Sequence, residues 1–197
     1  MTHQKKKGKK IMVLCGSPRS GGSTDVIVQW AAEGARQAGA TVEIIDVTKL
    51  TYKSYGCTAC MGCQRSKKFA CVIPDEATPV LARIPENDIL VFATPLYFFG
   101  PSAQLKVFTD RMYSLFKFDR ASGIIRHNLG HMKCAVISTA GSNEFGSLTR
   151  LFDVFASFLG AQVQSLLIPF VRDTDTLRSS AAVRQKAIVF GAKLVQT

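Results

Sequence analysis

The ten residues Cys15-Gly-Ser-Pro-Arg-Ser-Gly-Gly-Ser-Thr24 follow an apolar run, 11–14, and lead into a segment with helical periodicity. A strand that turns through a small-residue loop into a helix is typical of a phosphate site. Glycines let the backbone N–H groups turn inward, and the helix N-terminus carries partial positive charge. We therefore predict that this loop binds phosphate, through Gly22 and the hydroxyl and guanidinium donors of Ser17, Arg19, Ser20, Ser23 and Thr24.

Two common nucleotide-binding motifs do not fit this loop. The motif G-x-G-x-x-G is excluded because Gly16 and the pair at 21–22 are wrongly spaced. The loop nearly matches G-x-x-x-x-G-K-[ST], but Gly22 stands where that motif has its lysine. Without this lysine we do not expect hydrolysis of nucleoside triphosphates.

Runs of strand length alternate with helical segments along the whole chain. The strand-length runs are 11–14, 41–46, 89–93, 134–138 and 163–169, and the helical segments are 26–38, 101–115, 148–159 and 176–195. This alternation predicts an α/β fold in which helices cover both faces of a parallel sheet. At 197 residues the chain fits one domain, which we place at 11–197.

Charge and hydrophobicity limit the partners and the location. The net charge is +11, and five of the lysines lie within residues 1–10, which we predict to be a disordered basic tail. No nucleic-acid-binding motif accompanies this tail, so we predict no nucleic-acid partner. No stretch is apolar enough to span a membrane or to form a signal peptide, so we expect a cytoplasmic protein without a membrane partner.

Two further loops follow predicted strands, at 94–102 and 138–142. Ligands of parallel sheets bind beyond the carboxyl ends of the strands, where these loops and the first loop should meet. Tyr97, Phe98 and Phe99 could lie beside a planar ring there, or they could simply cap the core. Together with a phosphate loop, they favour a ligand that has a phosphate and a flat heterocycle, such as flavin mononucleotide (FMN).

The sequence resembles the flavodoxin-like, NAD(P)H-dependent FMN reductase superfamily. The resemblance lies in G-S-P-R-S-G-G-S-T, in T-P-L-Y-F-F-G-P-S-A-Q-L-K-V-F-T-D-R at 94–111 and in S-T-A-G, and it spans about 10–195. It implies a three-layer sandwich with sheet order 2-1-3-4-5 and FMN phosphate on the first loop. Asp110 and Arg111 belong to the shared motif, and we expect them to fix helix packing. By matched position, the flavin ring would be lined by Pro95, Leu96, Tyr97, Phe98, Phe99, Thr139 and Gly141.

A cysteine-rich insert occupies 48–75, where no periodicity is visible. Cys57, Cys60, Cys63 and Cys71 form the pattern C-x2-C-x2-C-x7-C, whose short spacings let thiolates converge on one centre. The pattern resembles the iron-sulfur flavoprotein branch of the superfamily, which implies a [4Fe–4S] cluster. Zinc and metal-free thiols are the two alternatives.

The resemblance implies an oxidoreductase in which FMN takes hydride from NADH or NADPH and passes electrons to a small acceptor or a redox protein. No catalytic side chain is predicted, because the flavin carries the chemistry. A non-enzymatic, flavodoxin-like electron carrier and a zinc-stapled binding protein are the alternative functions. The resemblance also implies a homodimer or homotetramer.

Overall fold

A central parallel sheet with strand order β2-β1-β3-β6-β7 organises the computed structural model, which describes residues 8–119, 121–130 and 132–196. Residues 1–7 of the predicted basic tail lie outside this description. The strands are β1 Lys10–Cys15, β2 Thr41–Asp46, β3 Ile89–Pro95, β4 Phe116–Phe118, β5 Ile125–His127, β6 Lys133–Thr139 and β7 Val163–Ile168. Because β4 and β5 pair only with each other, the parallel strands have the predicted order 2-1-3-4-5, which is thereby confirmed.

The helices include seven α-helical segments within the described residues. They are α1 Ser23–Gln37, α2 Gly62–Arg65, α3 Ala77–Arg83, α4 Ala103–Asp110, α5 Gly146–Ser157, α6 Thr174–Ser179 and α7 Ala181–Gln196. Short 3-10 segments cover Val47–Lys49, Ile84–Glu86 and Arg111–Leu115. No helix in the described parts of the chain is both long and apolar enough to cross a membrane.

The sheet has an apolar core on each face, as its strand sequences require. All seven residues of β3 are buried, which agrees with a continuous apolar strand that is covered on both sides. Alternate strand residues such as Leu90 and Phe92 pack with α3, α4 and α5, whereas Ile89 and Val91 face α1 and α7. The three-layer arrangement predicted from the sequence is therefore present.

Two glycines let α1 and α7 approach each other closely. A Cβ atom on Gly34 would overlap the carbonyl of Ile188, and one on Gly191 would overlap the carbonyl of Ala31. Only glycine fits at these two positions, because the obstructing atoms belong to the backbone. This packing anchors α1 and thereby positions its N-terminus at the carboxyl edge of the sheet.

Several elements differ from the sequence prediction, among them α2 and α3, which lie where no helix was predicted. The predicted helix at 176–195 is two helices, because Ser180 has an extended backbone and its Oγ accepts a hydrogen bond from the N–H of Val183 at the start of α7. The predicted helix at 101–115 ends at Asp110, and its last residues form the 3-10 segment Arg111–Leu115 instead. The hairpin of β4 and β5 was not predicted, because strands of three residues carry little periodicity.

Candidate functional site

Hydrogen bonds join the three predicted loops at the carboxyl edge of the sheet. The N–H of Gly16 donates to the carbonyl of Ala93, at 2.8 Å, and the Oγ of Ser102 donates to the carbonyl of Gly16, at 2.6 Å. The N–H of Leu96 donates to the carbonyl of Thr139, at 2.9 Å. The ends of β1, β3 and β6 therefore hold the first, second and third loops together.

The first loop is wound tightly around the carbonyl of Arg19. That carbonyl accepts hydrogen bonds from the N–H of Gly22, at 3.0 Å, and from the Oγ of Ser17, at 3.1 Å. Ser17 is buried, whereas Arg19 and Ser20 are exposed to solvent. Within the described residues no side chain caps the N-terminus of α1, so its first-turn N–H groups remain available to an anion.

The hydroxyls of the first helical turn already have protein partners. The Oγ of Ser23 shares a 3.0 Å hydrogen bond with Thr174, and the Oγ1 of Thr24 shares a 2.8 Å hydrogen bond with Thr139. A hydroxyl has one donor and two acceptor lone pairs, so each group keeps capacity for a ligand. The bond between Thr24 and Thr139 also connects the first loop directly to the third.

Asp25 is a loop-fixing residue that the sequence analysis missed. Its carboxylate accepts from the N–H of Gly21, at 2.7 Å, and from the thiol of Cys15, at 3.2 Å. Burial raises the pKa of Cys15 to about 12, so this thiol stays neutral and donates to the carboxylate. An acidic residue in the first turn of a helix was the available signal, because it complements the helix dipole.

The second loop contains a tight turn with two aromatic residues at its tip. Tyr97 and Gly100 exchange two backbone hydrogen bonds of 3.0 Å, and Phe98 and Phe99 between them have φ angles of +45° and +65°. Such angles are unfavourable for bulky residues. The side chains of Phe98 and Phe99 are 95% and 57% exposed, so the alternative that they cap the core is wrong for both.

The remaining predicted ring-lining residues flank this turn. Pro95 is the last residue of β3 and is buried, and Leu96 is half-buried against the hydrophobic core. Thr139 is the buried end of β6, and Gly141 is exposed, with open space where a side chain would be. The structure therefore places these residues on two neighbouring loops around an open edge.

The four predicted metal-ligating cysteines line one cavity, which we call the cysteine cavity. Cys63 is buried, Cys71 is half-buried, and Cys57 and Cys60 are exposed. Within the described ranges no three Cys, His, Asp or Glu side chains are grouped closely enough to hold a metal ion. The four cysteines therefore line one cavity, but the described structure does not bring three of them together as a metal-ligating group.

The hairpin of β4 and β5 holds the middle of the insert in place. The buried ammonium of Lys117 donates to the carbonyls of Cys63, Ser66 and Lys68, the last two at 2.8 and 2.6 Å. The side-chain amide of Gln64 bonds to the main chain of β4 through both its nitrogen and its oxygen, at 2.9 and 3.1 Å. The insert is therefore fixed to the fold although it has little regular structure.

Arg111 forms the inner wall of the cysteine cavity. Its guanidinium pairs with Asp75, at 2.6 Å, and donates to the sulfur of Cys71, at 3.4 Å, with both charged side chains fully buried. Burial opposes ionisation of Asp75, but the hydrogen bonds from Arg111 and from two backbone N–H groups outweigh it and hold the pKa of Asp75 below its ordinary value. The motif had suggested only a packing role for Arg111.

At the outer wall, Cys60 has a polar environment. The backbone N–H of Gly62 is the main cause that lowers the pKa of Cys60, and the hydroxyl of Thr58 and the charge of Arg65 act in the same direction. Ala59 and Met61 have φ angles of +52° and +57°, which are uncommon for residues other than glycine. The first three cysteines therefore lie on a tightly turned segment with N–H groups close to sulfur.

The chain is similar to known flavin-dependent proteins. The family model for NADPH-dependent FMN reductase matches residues 9–171. An iron-sulfur flavoprotein of Methanocaldococcus jannaschii is 28% identical over 167 residues, which cover 84% of this chain and 77% of that protein. A Bacillus subtilis protein described as an NAD(P)H-dependent FMN-containing oxidoreductase is 28% identical over 134 residues, or 68% of each chain.

Solved structures of other proteins share the fold of this chain. The structure of an azoreductase from Bacillus anthracis superposes with a TM-score of 0.69 at 17% identity, covering 95% of this chain and 98% of that one. At this identity the likeness concerns the fold. The match of the family model covers most of the chain, and the chain accordingly belongs to the NADPH-dependent FMN reductase family and is an NAD(P)H-dependent FMN oxidoreductase.

Proposed function

We propose that FMN binds across the three joined loops, and that Cys57, Cys60, Cys63 and Cys71 hold a [4Fe–4S] cluster, which would supply a one-electron route to an acceptor. The observation that carries the FMN assignment is the direct bonding of these loops at one edge, beside the uncapped N-terminus of α1. A rigid edge with open backbone donors and exposed aromatic rings suits a ligand that has both a phosphate and a flat ring.

The phosphate end of the ligand would lie at the start of α1. The N–H groups of the first helical turn face it, and Arg19 is free in solvent to supply a positive charge. The phosphate site in this proposal consists of Ser17, Arg19, Ser20, Gly22, Ser23 and Thr24.

The ring end would lie between the second and third loops. Tyr97 and Phe98 present aromatic surface on one side, and Thr139 and Gly141 border the other. Gly141 leaves room for a flat group, since no atom lies within 4 Å of the position its Cβ would take. When bound, FMN supplies the hydride and single-electron chemistry, while these residues orient the ring and shield it from water.

The cysteine cavity fits a cluster by the chemistry of its donors. Four thiols share one cavity, the N–H of Gly62 lies at the sulfur of Cys60, and the guanidinium of Arg111 lies at the sulfur of Cys71. Hydrogen bonds to sulfur and nearby positive charge are the features by which proteins stabilise thiolate-bound iron. Cys57, Cys60, Cys63 and Cys71 would be the ligands.

We also propose the substrates, the assembly and the location of the protein. NADH or NADPH donates hydride, and the acceptor is a small oxidant or a redox protein. A homodimer or homotetramer in the cytoplasm is the expected form, and the domain would comprise residues 11–197 with the insert at 48–75.

Reduction of the bound flavin by NADPH or NADH, with no other reductant, tests the proposed function. Separate samples of the purified, FMN-loaded protein are mixed anaerobically with NADPH or with NADH. The flavin absorbance is followed by stopped flow. We expect rapid bleaching by at least one of the two nucleotides. A flavin that stays oxidised with both, yet is reduced by dithionite, would identify a non-enzymatic carrier and contradict the proposal.

A further inference from the structure

Two buried polar atoms without a hydrogen-bond partner belong to residues that line the cysteine cavity. Neither the Nε of Arg111 nor the Oγ of Ser114 has a hydrogen-bond partner among the described residues, and both residues line this cavity. Buried polar atoms are bonded in the great majority of cases, so each exception requires an explanation. The explanation should lie in the cavity, because that is the space the two side chains share with the four cysteines.

Other contacts hold Arg111 firmly in this orientation. Besides its ion pair with Asp75, its guanidinium donates to the Oγ1 of Thr78, at 3.0 Å, and to the carbonyl of Ile73, at 3.3 Å. The contact with Cys71 comes from the same nitrogen that reaches these two oxygens. A fully buried guanidinium that is fixed on one side and incompletely bonded on the other is preorganised for a further acceptor.

We propose that Arg111 and Ser114 are positioning residues for a sulfur-rich, negatively charged group on the four cysteines. This proposal rests on the cluster assignment under the proposed function. Arg111 holds the sulfur of Cys71 at the wall of the cavity, and the unpaired Nε of Arg111 and Oγ of Ser114 are the donors left for the group itself. Asp75 has an indirect role, because it fixes the guanidinium.

Donors on Arg111 and Ser114 should change the midpoint potential of the bound group, whereas residues that only pack should not. Hydrogen bonds and positive charge beside an iron-sulfur centre stabilise its more negative, reduced state, so their removal lowers the midpoint potential. In the cluster-free protein the hydroxyl of Ser114 is buried without a partner. Removing it should therefore leave that form as stable as before or make it more stable. Ser114→Ala should thus weaken only the loaded protein.

The test measures iron release and midpoint potential in anaerobically purified, FMN-containing protein. The variants are Ser114→Ala, Arg111→Lys and Arg111→Met. Ser138→Ala is the matched control for iron release only, since its Oγ is also buried without a partner and lies outside the cavity lining, at the third loop. Arg83→Met is the second control, since it removes an exposed ion pair with Glu43.

We expect Ser114→Ala and Arg111→Met to release iron to a chelator roughly 10–100-fold faster than wild type, the usual effect of losing a residue that supports a metal ligand. The midpoint potential of the iron-sulfur centre should fall in these two variants, while their FMN content stays unchanged. Arg111→Lys should give an intermediate release rate and an intermediate potential. Wild-type release rates and potentials in Ser114→Ala and Arg111→Lys would overturn the proposal even if Arg111→Met fails to fold. A wild-type protein that binds FMN but no iron would refute the cluster assignment, and this inference with it.

Discussion

The hydroxyl oxygens of Thr24 and Thr139 lie 2.8 Å apart, so the first turn of α1 is bonded to the carboxyl end of β6. Both residues are buried, which makes this contact part of the core as well as part of the site. This hydrogen bond fixes the position of the proposed phosphate-binding loop relative to the proposed ring-binding loop. A preformed site of this kind loses little freedom when it binds a cofactor.

Arg19 should contribute to FMN affinity through its charge. Its side chain is exposed at the tip of the first loop, so Arg19→Ala should leave the fold intact. We expect FMN binding to weaken by about 1–2 kcal/mol, the value of one charge-assisted hydrogen bond at a partly solvated site. Fluorescence titration of FMN-free protein measures the change. Arg36→Ala, at the opposite end of α1, is the control, and equal affinities of both variants would contradict the assignment.

Substitution of Phe98 tests whether the turn at 97–100 lines the flavin ring. Its side chain is 95% exposed and its φ is positive, so Phe98→Gly should change thermal stability little. If the turn lines the flavin, the variant should shift the flavin absorbance bands and slow reduction by NADPH.

Phe170 is the matched control for this variant, since it is also exposed and has a φ of +58°. Phe170→Gly should affect stability similarly but leave the flavin spectrum unchanged. Spectral changes of equal size in both variants would mean that the turn at 97–100 has no special relation to the ring.

Lys117 should stabilise the attachment of the insert. Lys117→Met leaves three carbonyls of the insert without their donor, and we expect the free energy of unfolding to fall by about 2–4 kcal/mol. Urea unfolding gives the value, with the exposed Lys67→Met as control. If the two variants are equally stable, the hairpin does not anchor the insert.

The ion pair of Asp75 and Arg111 should make stability depend on pH in the acid range. Because the pKa of Asp75 is lower in the folded than in the unfolded state, its contribution is present above the ordinary aspartate pKa of about 3.9. It is lost as the pH falls through the lower, folded value. Asp75→Asn should therefore be less stable than wild type at neutral pH, and the difference should shrink on acidification. A difference that is constant with pH would contradict this.

Much of the fold followed from local patterns. The alternation of strand-length runs with helical segments predicted the parallel sheet, and the match to the FMN reductase family confirms the predicted enzyme class. The break at Ser180 escaped prediction, because the apolar periodicity continues across it while one serine acts as a cap.

Residues that act through distant contacts could not be predicted. Arg111 meets Cys71 across 40 positions, and Lys117 reaches the carbonyl of Cys63 across 54. No local spacing encodes such pairs. The same applies to Thr24 and Thr139, which the sequence analysis named for separate roles, and which the fold joins by a hydrogen bond.

The cofactor content of the protein, purified without oxygen, tests most directly whether the protein holds both FMN and a [4Fe–4S] cluster. Its absorbance spectrum, iron and acid-labile sulfide are measured for wild type, Cys60→Ala and Cys134→Ala, the last being a buried cysteine outside the cysteine cavity. We expect flavin bands in all three, with about four iron and four sulfide per chain in wild type and Cys134→Ala, and iron lost from Cys60→Ala alone. A wild-type protein without flavin, or a yellow protein without iron after iron-replete expression, would contradict the account.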